Sequence, residues 1–186
     1  MYGVNLLKMN FSKAIILDRD GTINIDKGYV HKIEDFELIP GVIEALKKFQ
    51  KTYILIIFTN QSGIGRGFYT AEDLQILNDF MLKRFDEEGI IIKECVFCPH
   101  KPDDACECRK PKTKLINPLI EKYNIKVSDS YVIGDKTSDV KLAEKLGMKS
   151  ILVKTGKGGK DKGYDVNPTF TAKDLLEASK IITNEI

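Results

Sequence analysis

Five short runs rich in β-branched and aromatic residues recur along the chain, at residues 14–17, 53–58, 90–97, 131–133 and 150–153. Segments with helical spacing of apolar residues separate them, at 42–49, 71–88, 113–123, 140–146 and about 173–182. The first of these follows the break Pro40-Gly41, the second follows the N-cap residue Thr70, and Gly89 and Gly147 close two of them. Strands without polar alternation have both faces covered. The pattern therefore predicts an α/β fold, a doubly wound parallel sheet with a Rossmann-like core. The stripe Leu74, Leu77, Met81 and Phe85 is the buried face of a helix rather than a cofactor site. With 186 residues, the chain has room for one such domain, 1–186, preceded by a short arm at 1–10 in which Met9 is an alternative start to Met1.

In open parallel sheets ligands bind beyond the carboxyl ends of the strands. The residues that follow each run are Asp18-Arg19-Asp20-Gly21-Thr22, Thr59-Asn60-Gln61-Ser62-Gly63, the loop 98–110, Gly134-Asp135-Lys136 and Lys154-Thr155-Gly156. Two carboxylates two residues apart after a buried strand repel each other and call for a cation. The segment 154–160 is rich in Gly and Lys but lacks the residue order of a nucleotide-binding P-loop, so it reads as a mobile basic loop at the rim. His31 stands alone in a polar segment and reads as a hydrogen-bonding surface residue.

All four cysteines lie between Cys95 and Cys108, beside His100. Clustering of this kind points to a metal rather than to a disulfide framework. Zinc in a structural site takes four thiolate or imidazole ligands, and two sets are possible, with either Cys95 or His100 joining Cys98, Cys106 and Cys108. Cys95 falls inside a strand, where free cysteine packs as a small apolar residue. Cys98, His100, Cys106 and Cys108 are therefore the expected set, in a zinc loop spanning 95–110 after the third strand. Four protein ligands leave no open position, so such a zinc would be structural and would hold Arg109 and Lys110 in place.

Asp18-Arg19-Asp20-Gly21-Thr22, Thr59 after the second strand, Lys110 before a helix and Asp135 after the fourth strand occur in order. Over residues 13–160 this set resembles the haloacid dehalogenase (HAD) superfamily of phosphotransferases. The resemblance implies Asp18 as nucleophile, Asp20 as general acid and base, Thr59 and the Asn60 backbone as holders of phosphoryl oxygens, and Lys110 as the neutralising cation. It also implies Mg²⁺ bound by Asp18, the backbone carbonyl of Asp20 and Asp135. The pattern Cys-x-His-x₅-Cys-x-Cys-Arg-Lys-Pro, with no room for a cap domain, resembles the capless branch that contains heptose 1,7-bisphosphate and histidinol-phosphate phosphatases. The stretch from Thr59 to Gly67, with Arg66, is closer to the heptose enzymes. What this implies is hydrolysis of the C7 phosphate of the heptose bisphosphate through an aspartyl-phosphate, on the route to lipopolysaccharide heptose. Gln61, Arg66, Arg109 and Lys136 join Asn60 as expected substrate-binding residues. Histidinol phosphate is the alternative substrate, and a zinc-loop binding module is the non-enzymatic alternative, against which the paired Asp18 and Asp20 argue.

Charge and hydropathy narrow the partners. With 29 Lys and Arg against 27 Asp and Glu, the net charge is +2, too balanced for a nucleic-acid groove. The longest apolar run is far short of a membrane span, and the first residues lack the pattern of a signal peptide. A cytoplasmic monomer acting on a small phosphorylated sugar, with no nucleic-acid or membrane partner, is the expectation.

Overall fold

The computed structural model describes residues 11–184, so the expected arm at 1–10 lies outside the described residues. Six strands form one parallel sheet in the order β3-β2-β1-β4-β5-β6. They are β1 (Ala14–Leu17), β2 (Ile54–Asn60), β3 (Ile92–Cys98), β4 (Tyr131–Gly134), β5 (Lys149–Val153) and β6 (Phe170–Ala172). The helices are α1 (Val42–Phe49), α2 (Ser62–Gly65), α3 (Ala71–Glu87), α4 (Asn117–Lys122), α5 (Thr137–Leu146) and α6 (Leu175–Asn184).

Successive strand residues point to opposite faces. Ile15, Leu17, Leu55 and Ile57 pack with Ala45, Leu46 and Phe49 of α1, Leu77, Met81 and Phe85 of α3, and Ala178 and Ile182 of α6. Ala14, Ile16, Ile56 and Phe58 pack on the other side with Leu119 of α4 and Leu142, Ala143 and Leu146 of α5. Both faces of the sheet are thus covered, as the apolar runs require. Thr70 caps α3 with its hydroxyl accepting from Asp73 N at 3.1 Å, and the Asp73 carboxylate accepts from Thr70 N in return.

The sheet has one strand more than the five runs predict. β6 is only three residues long, lies at the sheet edge and is half exposed, so Phe170-Thr171-Ala172 carries no periodic signal. The helix expected at 113–123 is regular only over Asn117–Lys122. Among the described residues no cap interrupts the core. The chain between β1 and α1 holds a single 3₁₀ turn at Ile33–Asp35, and the chain between β3 and α4 holds the cysteine loop.

β1 pairs with both β2 and β4. The connections reverse direction across the sheet at that point, which places a crevice beyond the carboxyl ends of β1 and β4. Asp18 and Asp135 are the residues that follow those two strands.

Candidate active site

A cavity of about 510 Å³ opens at this crevice, and Asp20, Asn60, Gln61, Arg109, Lys110 and Lys136 are among its lining residues. A larger groove of about 630 Å³ runs along α1 around Lys47, Lys48 and Arg84. It lies away from the strand ends and has none of the buried carboxylates, so the chemistry belongs to the smaller cavity.

Asp18 is 3% exposed. Its Oδ1 lies 2.9 Å from Lys110 Nζ and accepts from Arg19 N at 2.8 Å, while Lys136 Nζ approaches Oδ2 at 3.7 Å. Burial opposes the ionised form, but Lys110 and Lys136 outweigh it and hold the Asp18 carboxyl below its ordinary value. Lys110, 4% exposed, also meets Asp139 Oδ1 at 2.7 Å and donates to Phe58 O at 2.8 Å. All three ammonium hydrogens therefore have acceptors. Burial works against that charge, and the two carboxylates reverse the effect and raise the Lys110 value. The Asn60 side chain fixes the Lys110 backbone, accepting from Lys110 N at 3.0 Å through Oδ1.

Asp20 turns away from this group. Its carboxylate takes the guanidinium of Arg19, with Nη2 at 2.8 and 3.0 Å from its two oxygens, and accepts from Asn24 Nδ2 at 3.0 Å and Gln61 Nε2 at 2.7 Å. Arg19 is fully buried and also donates to Val30 O at 2.7 Å. Two neighbouring motif carboxylates are thus separated electrically, one held by Lys110 and the other by Arg19. The turn that follows Asp20 needs Gly21, whose φ is +87° and where a Cβ would stand 2.5 Å from Asp135 Oδ2.

Asp18, Asp135 and Asp139 each bring a carboxylate oxygen within 4.8 Å of the others. Asp135 is fully buried, its Oδ1 has no hydrogen-bond partner, and the nearest cationic group is Lys136 Nζ at 3.8 Å. Burial and then the charge of Asp18 push the Asp135 carboxyl up to about 7. An orphaned buried oxygen beside an ionised carboxylate fits a hard divalent cation. Lys110 meets Asp18 through Oδ1 and Lys157 N meets Asp135 through Oδ2, so Asp18 Oδ2 and Asp135 Oδ1 are the oxygens left to face a cation.

A carboxyl whose value is raised on folding contributes stability at low pH that is lost as pH rises through about 7. In metal-free protein, Asp135→Asn is therefore expected to be more stable than the wild type at pH 8, by on the order of 2–4 kcal/mol, and equal to it near pH 4. Urea denaturation at the two pH values checks this. No gain at pH 8 would show that the carboxylate is already compensated.

The loop at 154–160 is tied to the strand ends by hydrogen bonds. Thr155 Oγ1 donates to Gly21 O at 2.6 Å, Lys157 N to Asp135 Oδ2 at 2.6 Å, and Gly159 N to Asp135 O at 2.7 Å. Asp161 then accepts from Thr137 N and Oγ1 at 3.0 and 2.6 Å, at the start of α5. The loop is a strap that fixes the Asp135 carboxylate. Its two contacts with Asp135 come from backbone amides, which leave no mark in residue type.

Cys98, His100, Cys106 and Cys108 gather with ligand atoms within 4.8 Å of one another. Cys98 Sγ is 3.2 Å from Cys108 Sγ and 3.8 Å from Cys106 Sγ, and His100 Nδ1 is 3.1 Å from Cys108 Sγ. This is the expected set, and its spacing suits a tetrahedral zinc with bonds of about 2.0–2.3 Å. Cys95 is not part of the cluster, and burial pushes its thiol up to about 11. Arg109 Nη1 donates to His100 O at 3.2 Å, so the loop that carries the thiols also aims Arg109 into the cavity.

The structure thus brings Asp18, Asp20, Thr59, Asn60, Gln61, Arg109, Lys110, Asp135 and Lys136 to one crevice. Arg66 is exposed at the end of α2 and is not among the lining residues, although Ser62 at the start of that helix is. Gln61 is spent on Asp20 and Thr59 rather than left free for substrate. Asp139 and Arg19 have roles that the motifs alone did not assign. The spacing Asp135-x₃-Asp139 at the opening of a helix was the available signal for the first.

An HAD-hydrolase-like family model matches residues 107–178. The D-glycero-beta-D-manno-heptose-1,7-bisphosphate 7-phosphatase of Haemophilus ducreyi is 46% identical over 154 residues, covering 78% of this chain and 85% of the relative. The D-glycero-alpha-D-manno-heptose-1,7-bisphosphate 7-phosphatase of Photorhabdus laumondii is 38% identical over 183 residues, covering 92% of this chain and 100% of the relative. Among solved structures, the D,D-heptose 1,7-bisphosphate phosphatase of B. bronchiseptica, complexed with magnesium and phosphate, superposes with a TM-score of 0.85 at 30% identity, covering 94% of this chain and 99% of that one. The chain belongs to the HAD-type hydrolase family that contains the D-glycero-D-manno-heptose-1,7-bisphosphate 7-phosphatases.

Proposed function

We propose that the chain is a Mg²⁺-dependent phosphatase that removes the C7 phosphate of D-glycero-D-manno-heptose 1,7-bisphosphate, on the route to lipopolysaccharide heptose. The observation that carries the chemistry is the Lys110 ammonium between Asp18 and Asp139, with Asp20 held separately at the same cavity. The relatives' names supply the substrate, and both anomers occur among them.

In this reading Asp18 attacks phosphorus and the P–O bond to C7 breaks. The leaving oxygen takes a proton from Asp20, giving an aspartyl-phosphate on Asp18. Asp20 then takes a proton from a water, which attacks phosphorus and frees Asp18 and inorganic phosphate. Lys110 balances the charge on the nucleophile, and Thr59 holds a phosphoryl oxygen. Asp18, the Asp20 carbonyl and Asp135 would hold Mg²⁺, which would supply positive charge for the transferring group. Arg109, at the cavity, is the residue we assign to the second phosphate, which a planar guanidinium suits, while Lys136, beside Asp18, serves the transferring group.

Comparison of kcat/KM on heptose 1,7-bisphosphate and histidinol phosphate tests the substrate. A preference for the bisphosphate of at least about 100-fold is expected, since only it meets both ends of the cavity. A preference for histidinol phosphate would overturn the assignment.

Zinc in the Cys98, His100, Cys106 and Cys108 cluster would hold the loop that delivers Arg109 and Lys110. With Mg²⁺ in excess, Cys106→Ser is expected to lower Tm by about 5–10 °C and kcat/KM by at least about tenfold. An unchanged Tm and rate would remove the ion from the account of the loop.

A further inference from the structure

One buried ionisable group beside the site has no part in the chemistry above. Tyr69 lies between α2 and α3 and is 6% exposed. Its hydroxyl donates to Gln61 Oε1 at 2.6 Å. Gln61 Nε2 donates in turn to Asp20 Oδ2 at 2.7 Å and to Thr59 Oγ1 at 2.8 Å.

Hydrogen-bond polarity fixes every direction in this chain. The Asp20 oxygens sit among the donors of Arg19 and Asn24 and accept from Gln61 as well, so the end of the Gln61 amide that meets Asp20 is the NH₂. The other end is a carbonyl and needs a donor, which the Tyr69 hydroxyl supplies. Burial pushes the Tyr69 phenol up to about 12, so it keeps the proton that it donates. A flipped amide would set its carbonyl against the Asp20 carboxylate. Thr59 Oγ1 accepts from Gln61, and its own hydrogen is left to donate to a phosphoryl oxygen. One hydroxyl thus sets the aim of two groups that act on the substrate.

The sequence makes room for this arrangement at Gly63. A Cβ there would stand 2.1 Å from Tyr69 Cε1 and 2.6 Å from Cζ, so only glycine admits the ring. The His31 ring stacks on Tyr69 with centroids 4.5 Å apart and planes 6° from parallel, and His31 Nδ1 lies 2.8 Å from Tyr29 O.

We infer that Tyr69 is a positioning residue, whose hydroxyl locks the Gln61 amide in the orientation that holds Asp20 for proton transfer and frees the Thr59 hydroxyl for the phosphoryl group. The inference rests on the phosphatase reading and adds a residue to it.

The test is Tyr69→Phe, which keeps the ring and removes the hydroxyl, assayed on heptose 1,7-bisphosphate and on p-nitrophenyl phosphate. A sugar alkoxide needs the Asp20 proton to leave, whereas nitrophenolate leaves without one. The expected result is a fall in kcat/KM, which reads the phosphorylation step alone, of about tenfold on the sugar ester and no more than about threefold on the aryl ester. Gln61→Leu should show the same split, and adding Tyr69→Phe to it should cost nothing further. Equal losses on the two esters, a further loss in the double variant, or a lowered Tm with wild-type kcat/KM would each overturn the inference and leave the phosphatase reading standing. A wild-type protein that releases phosphate from neither ester would overturn both.

Discussion

Asp18→Asn is expected to lower kcat by at least about 10⁴-fold while the protein stays folded. An amide is a poor nucleophile toward phosphorus and cannot regenerate the enzyme through an acyl-phosphate. The structure gives no reason for a stability loss, because Lys110 keeps its contacts with Asp139 and Phe58 O. Removing the Asp18 charge also relieves Asp135, whose carboxyl is pushed up by burial and by that charge. Steady-state phosphate release and thermal unfolding on the same preparation check both halves. Turnover within about tenfold of wild type would remove Asp18 from the role of nucleophile.

Lys110→Met is expected to damage both stability and activity. The ammonium lies 2.9 Å from Asp18 and 2.7 Å from Asp139, and all three side chains are at most 3% exposed. Taking away the cation leaves two buried carboxylates without the ammonium that lies between them. Breaking a buried pair in this way costs about 3–5 kcal/mol, more than the gain from replacing the ammonium with an apolar tip. Loss of the charge that offsets the nucleophile should lower kcat by a further about 10²–10³-fold in the molecules that fold. Urea unfolding with Mg²⁺ present measures the first, and phosphate release per folded molecule the second. Wild-type stability would mean that Asp18 and Asp139 are compensated by something other than Lys110.

Asp18, Thr59 and Asp135 were legible in the sequence because each follows a run that had to be a buried parallel strand, and such sheets bind ligands at that edge. The thiol cluster was legible for a different reason: thiols and an imidazole at close spacing have few other uses. What escaped has physical causes. β6 is too short to show a period. Asp139 sits at the third position of α5, where a carboxylate reads as a helix cap, and its Oδ2 does accept from Lys136 N at 3.1 Å. Its second oxygen reaches Lys110, which spacing alone does not reveal. Gln61 and Arg66 share one motif but not one fate, since the short turn of α2 carries Arg66 out to solvent. The strap at 155–161 reaches Asp135 through the backbone N–H groups of Lys157 and Gly159, which residue types do not reveal.

The most direct measurement is ³¹P NMR of the products formed from D-glycero-D-manno-heptose 1,7-bisphosphate with Mg²⁺. Asp18, Asp20 and Lys110 acting at C7 should give heptose 1-phosphate and inorganic phosphate in equal amounts. Release of the C1 phosphate, or an unchanged bisphosphate spectrum, would contradict the proposed reaction.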